Sequence, residues 1–235
     1  MAVGGYPTIR AVMDATSTIP IVFPPYGGDP VADGIVASLA QPGGNVTGLI
    51  SNVREAAGKR LQLLKEVVPG LSRVGVLWNA ASAAVVNDWQ ETQAAAQVLG
   101  IRIVSLVIHG PEDLESALQA AAGEAPDALS TLPDAVTLTQ RARIIDFAAR
   151  NRLPAIYARR EEADDGGLMA YGPNLRELFR RAATHVDKIL KGTKPADLPV
   201  ERPTTFEFII NLRTARALGL TIPQSILLQA TDVIQ

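Results

Sequence analysis

The stretch Ala155-Ile-Tyr-Ala-Arg-Arg-Glu-Glu-Ala-Asp-Asp-Gly-Gly-Leu-Met-Ala-Tyr-Gly-Pro-Asn174 decides how this chain is read. A short apolar run follows Pro154, charges gather between Arg159 and Asp165, and Gly166-Gly167 turns the chain. Leu168 to Tyr171 is apolar again, and Gly172-Pro173 breaks it. The pattern predicts strand, polar turn, strand, then a helix opened by Pro173 and Asn174, since proline suits a helix's first turn, where its missing N–H is not needed. A buried strand cannot end cheaply in Arg159, Arg160 and Glu161, so those charges are expected at a rim where water or a ligand meets them. In open α/β folds, sheet rims carry the binding sites.

Toward the C-terminus, a long helix is predicted from Asn174 to Lys191, stopped by Gly192, and then a proline-rich link from Pro195 to Pro203. Phe206–Asn211 reads as a strand, Thr214–Leu218 as a short helix closed by Gly219, and Ile226–Ile234 as a terminal helix. Toward the N-terminus, strand and helix alternate. Val74–Trp78, Ile101–Ile108 and Ala128–Leu132 are strands; Val85–Leu99, Pro111–Gly123 and Leu138–Asn151 are helices. Val-, Ile- and Leu-rich strands separated by helices predict a parallel sheet covered on both faces. Glu55–Val68 reads as amphipathic, with Leu61, Leu64 and Val68 inward and Lys59, Arg60 and Lys65 on the opposite face. Before it come a helix at Thr8–Ala15, a strand at Ile19–Phe23, a helix at Val31–Leu39, and a strand at Val46–Ile50 broken by Gly48. Val3 reads as the end of a strand, so the first sheet is entered late.

Composition bounds the function. With 235 residues and 47% hydrophobic content, the chain can build real cores as one large domain or two small ones. A net charge of −2 with acids and bases interspersed gives no basic stripe for phosphates, so nucleic acid is not an expected partner. No apolar run approaches the roughly 20 residues that span a bilayer. Absence of cysteine removes disulfides, thiolate catalysis and sulfur-ligated metals together. The two histidines, His109 and His185, lie far apart without metal-ligand spacing, and no nucleophile elbow, Walker loop or dinucleotide fingerprint occurs. Catalytic residues, metals and cofactors are therefore expected to be none.

Seven phrases in order carry a resemblance: Ile-Pro-Ile-Val-Phe (19–23), Gly-Asp-Pro-Val (28–31), Pro-Gly-Gly-Asn-Val-Thr-Gly (42–48), Leu-Pro-Ala-Ile-Tyr (153–157), Gly-Gly-Leu-Met-Ala-Tyr-Gly-Pro (166–173), Val-Asp-Lys-Ile-Leu-Lys-Gly (186–192) and Ala-Leu-Gly-Leu-Thr-Ile-Pro (217–223). Together the sequence resembles the TrpX-like family of ABC-transporter substrate-binding proteins. That resemblance implies an α/β, two-lobe fold like the type I periplasmic binding proteins, with helix-covered parallel sheets and three crossings between lobes. It assigns 1–47 plus 172–204 to an N-terminal lobe and 48–171 plus 205–235 to a C-terminal lobe. Family members usually begin with an export signal and further strands, so the first lobe is expected to be incomplete and ligand binding by this chain weak. Hinges are implied at Asn45, Thr47 and Gly48, at Tyr171 and Gly172, and at Pro203 to Phe206; each is equally readable as an ordinary turn.

The implied ligand is a small molecule, an amino acid, aromatic or branched, held by loops that follow strands. From the first lobe these loops supply Tyr6 and Thr8, where a hydroxyl and a helix N-terminus resemble a carboxylate anchor, and Asp29. From the second come Asn79, Ser82, Asp134, Arg159 and Glu161. Asp134 is either the partner of a ligand ammonium or a helix-capping aspartate. Arg159–Glu161 is either a ligand loop or a solvated charge run, and Tyr26 and Tyr171 either line a cleft or pack at its edge. Trp78 and Trp89 read as core or helix-face residues. The implied partners are the permease and ATPase subunits of an importer, and the implied location is periplasmic or extracytoplasmic. A ligand-sensing effector domain, or an enzyme using the same cleft, are the alternatives.

Overall fold

The computed structural model describes residues 5–51 and 55–235. The chain divides into two compact units, Met1–Val53 with Pro173–Phe206 and Arg54–Gly172 with Glu207–Gln235. Val3 lies outside the described residues.

The first unit opens with α1 (Tyr6–Ala15), β1 (Ile21–Tyr26) and β2 (Val46–Ile50). The chain then enters the second unit as α2 (Glu55–Val67), β3 (Arg73–Asn79), α3 (Ala83–Leu99), β4 (Arg102–Ile108), α4 (Leu114–Glu124), β5 (Ala128–Thr131), α5 (Ala135–Thr139) and α6 (Arg141–Arg150). There follow β6 (Ala155–Tyr157), α7 (Arg160–Asp164) and β7 (Met169–Pro173). Helix α8 (Leu175–Leu190) belongs to the first unit, and β8 (Phe206–Asn211), α9 (Leu212–Leu218), α10 (Gln224–Leu227) and β9 (Asp232–Ile234) complete the second.

In the first unit β1 and β2 pair in parallel, Ile21 beside Val46 and Phe23 beside Gly48. Phe23 is fully buried among Ile9, Ile21, Val36, Val46, Ile50 and Val200. A Cβ at Gly48 would run into the Phe23 carbonyl oxygen and ring, so glycine here permits close strand approach rather than an unusual torsion. Asn174 caps α8 by accepting from the Glu177 amide, and Leu178 and Ala182 of that helix pack on Leu49.

In the second unit seven strands lie in the order β4-β3-β5-β6-β7-β8-β9. The pairs β3–β4, β3–β5, β5–β6, β6–β7 and β8–β9 are parallel. One face is covered by α2 and α3 residues such as Leu61, Leu64 and Val85, the other by α4 and α6 residues such as Leu114, Leu118 and Ile144. Strand β3 is buried almost throughout, as the continuous apolar run Val74–Leu77 requires of a central parallel strand.

Four sequence expectations are corrected. Residues 31–39 form no helix: the Ile35 and Val36 amides both donate to the Pro30 carbonyl, and Gly34 turns the chain at φ +67°. Residues 226–234 form the end of α10 and the strand β9, because β8 offers an edge on which Asp232–Ile234 pair. The charged run after β6 is the helical turn α7, not a plain turn. Arg60 is not on the solvent face of α2; it is 3% exposed.

Candidate functional site

Because β3, β5, β6 and β7 are adjacent and parallel, their C-terminal ends share one rim of the second unit. Asn79 ends β3, Asp134 follows β5, Arg159 follows β6, and Tyr171 stands near the end of β7. This is the edge at which open α/β sheets bind ligands.

Asn79 is buried, and its side chain is used twice: Nδ2 donates to Asp134 Oδ1 at 3.0 Å, and Oδ1 accepts from the Ala81 amide at 2.9 Å. Asp134 Oδ1 also accepts from the Val136 amide at 2.8 Å, and the Asp134 amide donates to Thr137 Oγ1 at 3.1 Å, so Asp134 caps α5. The Asn79 and Val136 hydrogen bonds fall on the same oxygen, and the Thr137 amide completes a capping box on the Asp134 side chain. Asp134 thus fills the capping role and stays partly exposed at the rim. Ser82 occupies the N-cap position of α3 without a side-chain capping bond.

Arg159 is the N-cap residue of α7, and Glu161 lies exposed in that helix's first turn. Arg160 is held by ion pairs to Asp164 at 3.3 Å and Asp232 at 2.5 Å. Glu162 was not foreseen. It is 3% exposed, and its Oε2 accepts from the amides of Ala158 at 3.1 Å and Arg159 at 3.0 Å. Burial pushes its carboxyl up to about 7, against the opposing pull of those amides and of Arg159 and Arg60. Arg60, on α2, donates through a terminal nitrogen to the Tyr171 carbonyl at 3.3 Å and stands 4.0 Å from Asp88. Burial lowers its guanidinium from the usual arginine range. The spacing carried the signal: Arg60 follows Ala57 by three and precedes Leu64 by four, which places it on the buried face of α2.

Gly172 permits a close approach here as well, because a Cβ would collide with the Ala158 carbonyl oxygen. Tyr171 is half-buried and meets Phe208 edge to face, with ring centroids 6.2 Å apart. Trp78 and Trp89 stack with centroids 4.6 Å apart, and the Trp78 indole donates to Ser105 Oγ, on the α3 side of the sheet.

In the first unit Tyr26 ends β1, and its hydroxyl donates to Asp33 Oδ2 at 2.5 Å. Burial, Asp33, Tyr6 and Asp29 all raise the Tyr26 phenol above its usual range. Tyr6, Tyr26, Asp29 and Asp33 therefore cluster at the end of β1. Tyr6 and Thr8 are exposed in the first turn of α1, whose N-cap residue is Gly5. Asp29 is engaged in capping the turn that follows it. Asn45 donates to the Thr16 and Ile19 carbonyls, and Thr47 Oγ1 donates to the Leu198 carbonyl at 2.7 Å; both brace the first unit internally. Near the third predicted crossing, the Thr205 carbonyl accepts from the Asn174 amide. Among the described residues no group of three or more His, Asp or Glu side chains could hold a metal, and no helix is long and apolar enough to cross a membrane.

The family model described as ABC transporter substrate binding protein matches residues 1–234. A tyrosine-binding protein of Clostridioides difficile is 27% identical over 214 residues, 91% of this chain and 61% of the relative. The chain thus spans less than two thirds of that curated relative's length. A solved structure of a conserved domain protein from Vibrio cholerae superposes with a TM-score of 0.86 at 32% identity, covering 97% of this chain and 76% of the other. An ABC domain from Streptococcus pneumoniae, solved in complex with L-Trp, superposes with a TM-score of 0.88 at 25% identity, covering 98% and 77%.

Proposed function

Because the chain belongs to the ABC transporter substrate binding protein family, we propose that it captures an aromatic amino acid for an importer and performs no reaction on it. The observation that carries this reading is the second unit's rim, where Asn79, Asp134, the Arg159 turn and Tyr171 end four adjacent parallel strands. Relatives named for tyrosine binding and solved with L-Trp point the ligand class the same way.

In this reading each unit offers its own ligand-facing residues. Asp134 receives the ligand ammonium on the oxygen that neither Asn79 nor Val136 engages, a charge-assisted contact that gains strength as water is excluded. The exposed N-terminus of α1, with Tyr6 and Thr8, offers donors to a carboxylate. Tyr171 supplies an aromatic edge, and the Asn79 bond holds Asp134 in place. Asn79 and Asp134 are thereby both cap and site, whereas Asp29 serves its own turn. The partners are the permease and ATPase subunits, and the place of work is outside the cytoplasmic membrane.

A panel of the twenty amino acids, read by thermal shift, tests the reading. L-tyrosine or L-tryptophan is expected to raise the midpoint most, and mass spectrometry of the recovered ligand is expected to return it unchanged. A converted product, or a shift only with sugars or other non-amino-acid solutes, would overturn it.

A further inference from the structure

Arg60 and Glu162 are two buried charges of opposite sign that the capture reading does not use. Both side chains are 3% exposed in the interior of the second unit. An arginine in such a place is stable only if its charge and donors are met. Among the described residues Arg60 Nε has no hydrogen-bond partner, so packing alone does not account for a guanidinium here. What the pair does reach is backbone, at two neighbouring strand ends. Glu162 takes the amides of Ala158 and Arg159 where β6 ends, and Arg60 takes the carbonyl of Tyr171 on β7. The two ends abut so closely that Gly172 has no room for a Cβ beside the Ala158 carbonyl. Immediately past Gly172 the chain leaves this unit.

We propose that Arg60 and Glu162 are positioning residues of the ligand site: as a charged pair they fix the main chain at Ala158–Arg159 and at Tyr171, and ligand affinity depends on the charge of that pair. This rests on the capture reading, in which the Arg159 turn and Tyr171 face the ligand.

The groups facing the pair come from four elements. Arg60 on α2 is faced by Asp88 from α3, by Glu162 from α7 and by Tyr171 from β7. Glu162 is faced by Arg60, by Arg159 at the head of its own helix, and by the buried Tyr157 of β6. With Glu162 ionised, both amide hydrogen bonds are charge-assisted and Arg60 has a second counter-charge. When Glu162 takes a proton, Oε2 can still accept, but the bonds become neutral and weaker and Arg60 is left with Asp88. Because its carboxyl is pushed up to about 7, this exchange falls within the ordinary working range. Affinity is therefore expected to be higher above pH 7 than below it.

The test uses the whole chain in three forms: wild type, Glu162→Gln, and the doubly neutral Arg60→Met/Glu162→Gln. Gln can accept both amides and preserves shape. The double variant removes both buried charges together, a change that folds tolerate better than leaving one behind. Calorimetric titration of L-tyrosine and L-tryptophan from pH 5.5 to 8.5 is combined with hydrogen exchange at the Ala158 and Arg159 amides. The wild type is expected to bind more tightly as pH rises through about 7, while both variants give flat profiles and bind about tenfold more weakly. Protection of the two amides is expected to fall by about tenfold in Glu162→Gln. Wild-type affinity, a wild-type pH profile, or unchanged amide protection in a folded variant would overturn the proposal. If the wild type takes up neither amino acid at any pH, the capture reading fails, and the exchange measurement still decides whether the pair fixes these strand ends.

Discussion

At the residue scale, Asp134 caps α5 and Glu162 holds two strand-end amides, and the capture reading gives each of them a second task. Asparagine and aspartate cap helices about equally well, so Asp134→Asn is expected to leave stability within roughly 0.5 kcal/mol while removing the charge offered to an ammonium. Loss of that charge-assisted contact is expected to weaken amino-acid binding by about tenfold or more; a melting curve and a titration on the same sample separate the two effects. Asn79→Ala strips Asp134 of its orienting donor and the Ala81 amide of its acceptor, at roughly 1–3 kcal/mol for buried groups left unmet, read by urea unfolding. For Glu162 the sign of the pH dependence follows from the raised carboxyl. The folded protein holds a proton up to about pH 7 that the unfolded chain gives up near the ordinary glutamate value, so the folded state binds more protons in between. Stability from this group is present below that ordinary value and is lost as pH rises through about 7. Calorimetric melting of Glu162→Gln is expected to lack the decline that the wild type shows as pH rises from about 4.5 to about 7. Asp134 was legible because it stands directly after an apolar run and before a helix. Glu162 was not: within Arg159–Asp165, alternating exposure around one helical turn, not composition, decides which charge goes inside. Its burial follows from amides at a neighbouring strand end that no local pattern encodes.

At the element scale, apolar runs and glycine stops were enough to place β3 to β8 and the long helices. Their lengths are set by the same burial that wrote the pattern. Elements whose state depends on a distant partner were misread. Asp232–Ile234 extends because β8 presents an edge to it, and residues 31–39 turn because the Pro30 carbonyl takes the Ile35 and Val36 amides that a helix would pair internally. Gly48 and Gly172, which read as hinge or turn glycines and Gly48 also as a site of close approach, each stand where another backbone passes too close for a Cβ. Gly172→Ala is expected to cost roughly 1–3 kcal/mol by overpacking, since the obstructing atom is a backbone oxygen and cannot rotate away. Chemical denaturation gives the figure; a change within 0.5 kcal/mol of wild type, the ordinary range for surface substitutions, would show that the strand ends yield.

At the scale of the whole molecule, the two units differ in what holds them. The seven-stranded sheet is sandwiched by two apolar clusters, while the first unit relies mainly on the cluster around Phe23 and the contact of α8 with Leu49. Local opening follows the amount of buried apolar contact, so amides of β1 and β2 are expected to exchange sooner than those of β3 and β5; equal protection would contradict this. Which family the chain belongs to could be read from seven short phrases spread along it. Which amino acid it prefers could not, because selectivity resides in the shape that several loops make together. Capture of an aromatic amino acid is measured by titrating the chain with L-tyrosine and L-tryptophan in a calorimeter at several temperatures. Saturable one-to-one binding with a negative heat-capacity change, the mark of apolar burial on binding, is the predicted result. No saturable heat for either amino acid would contradict the account.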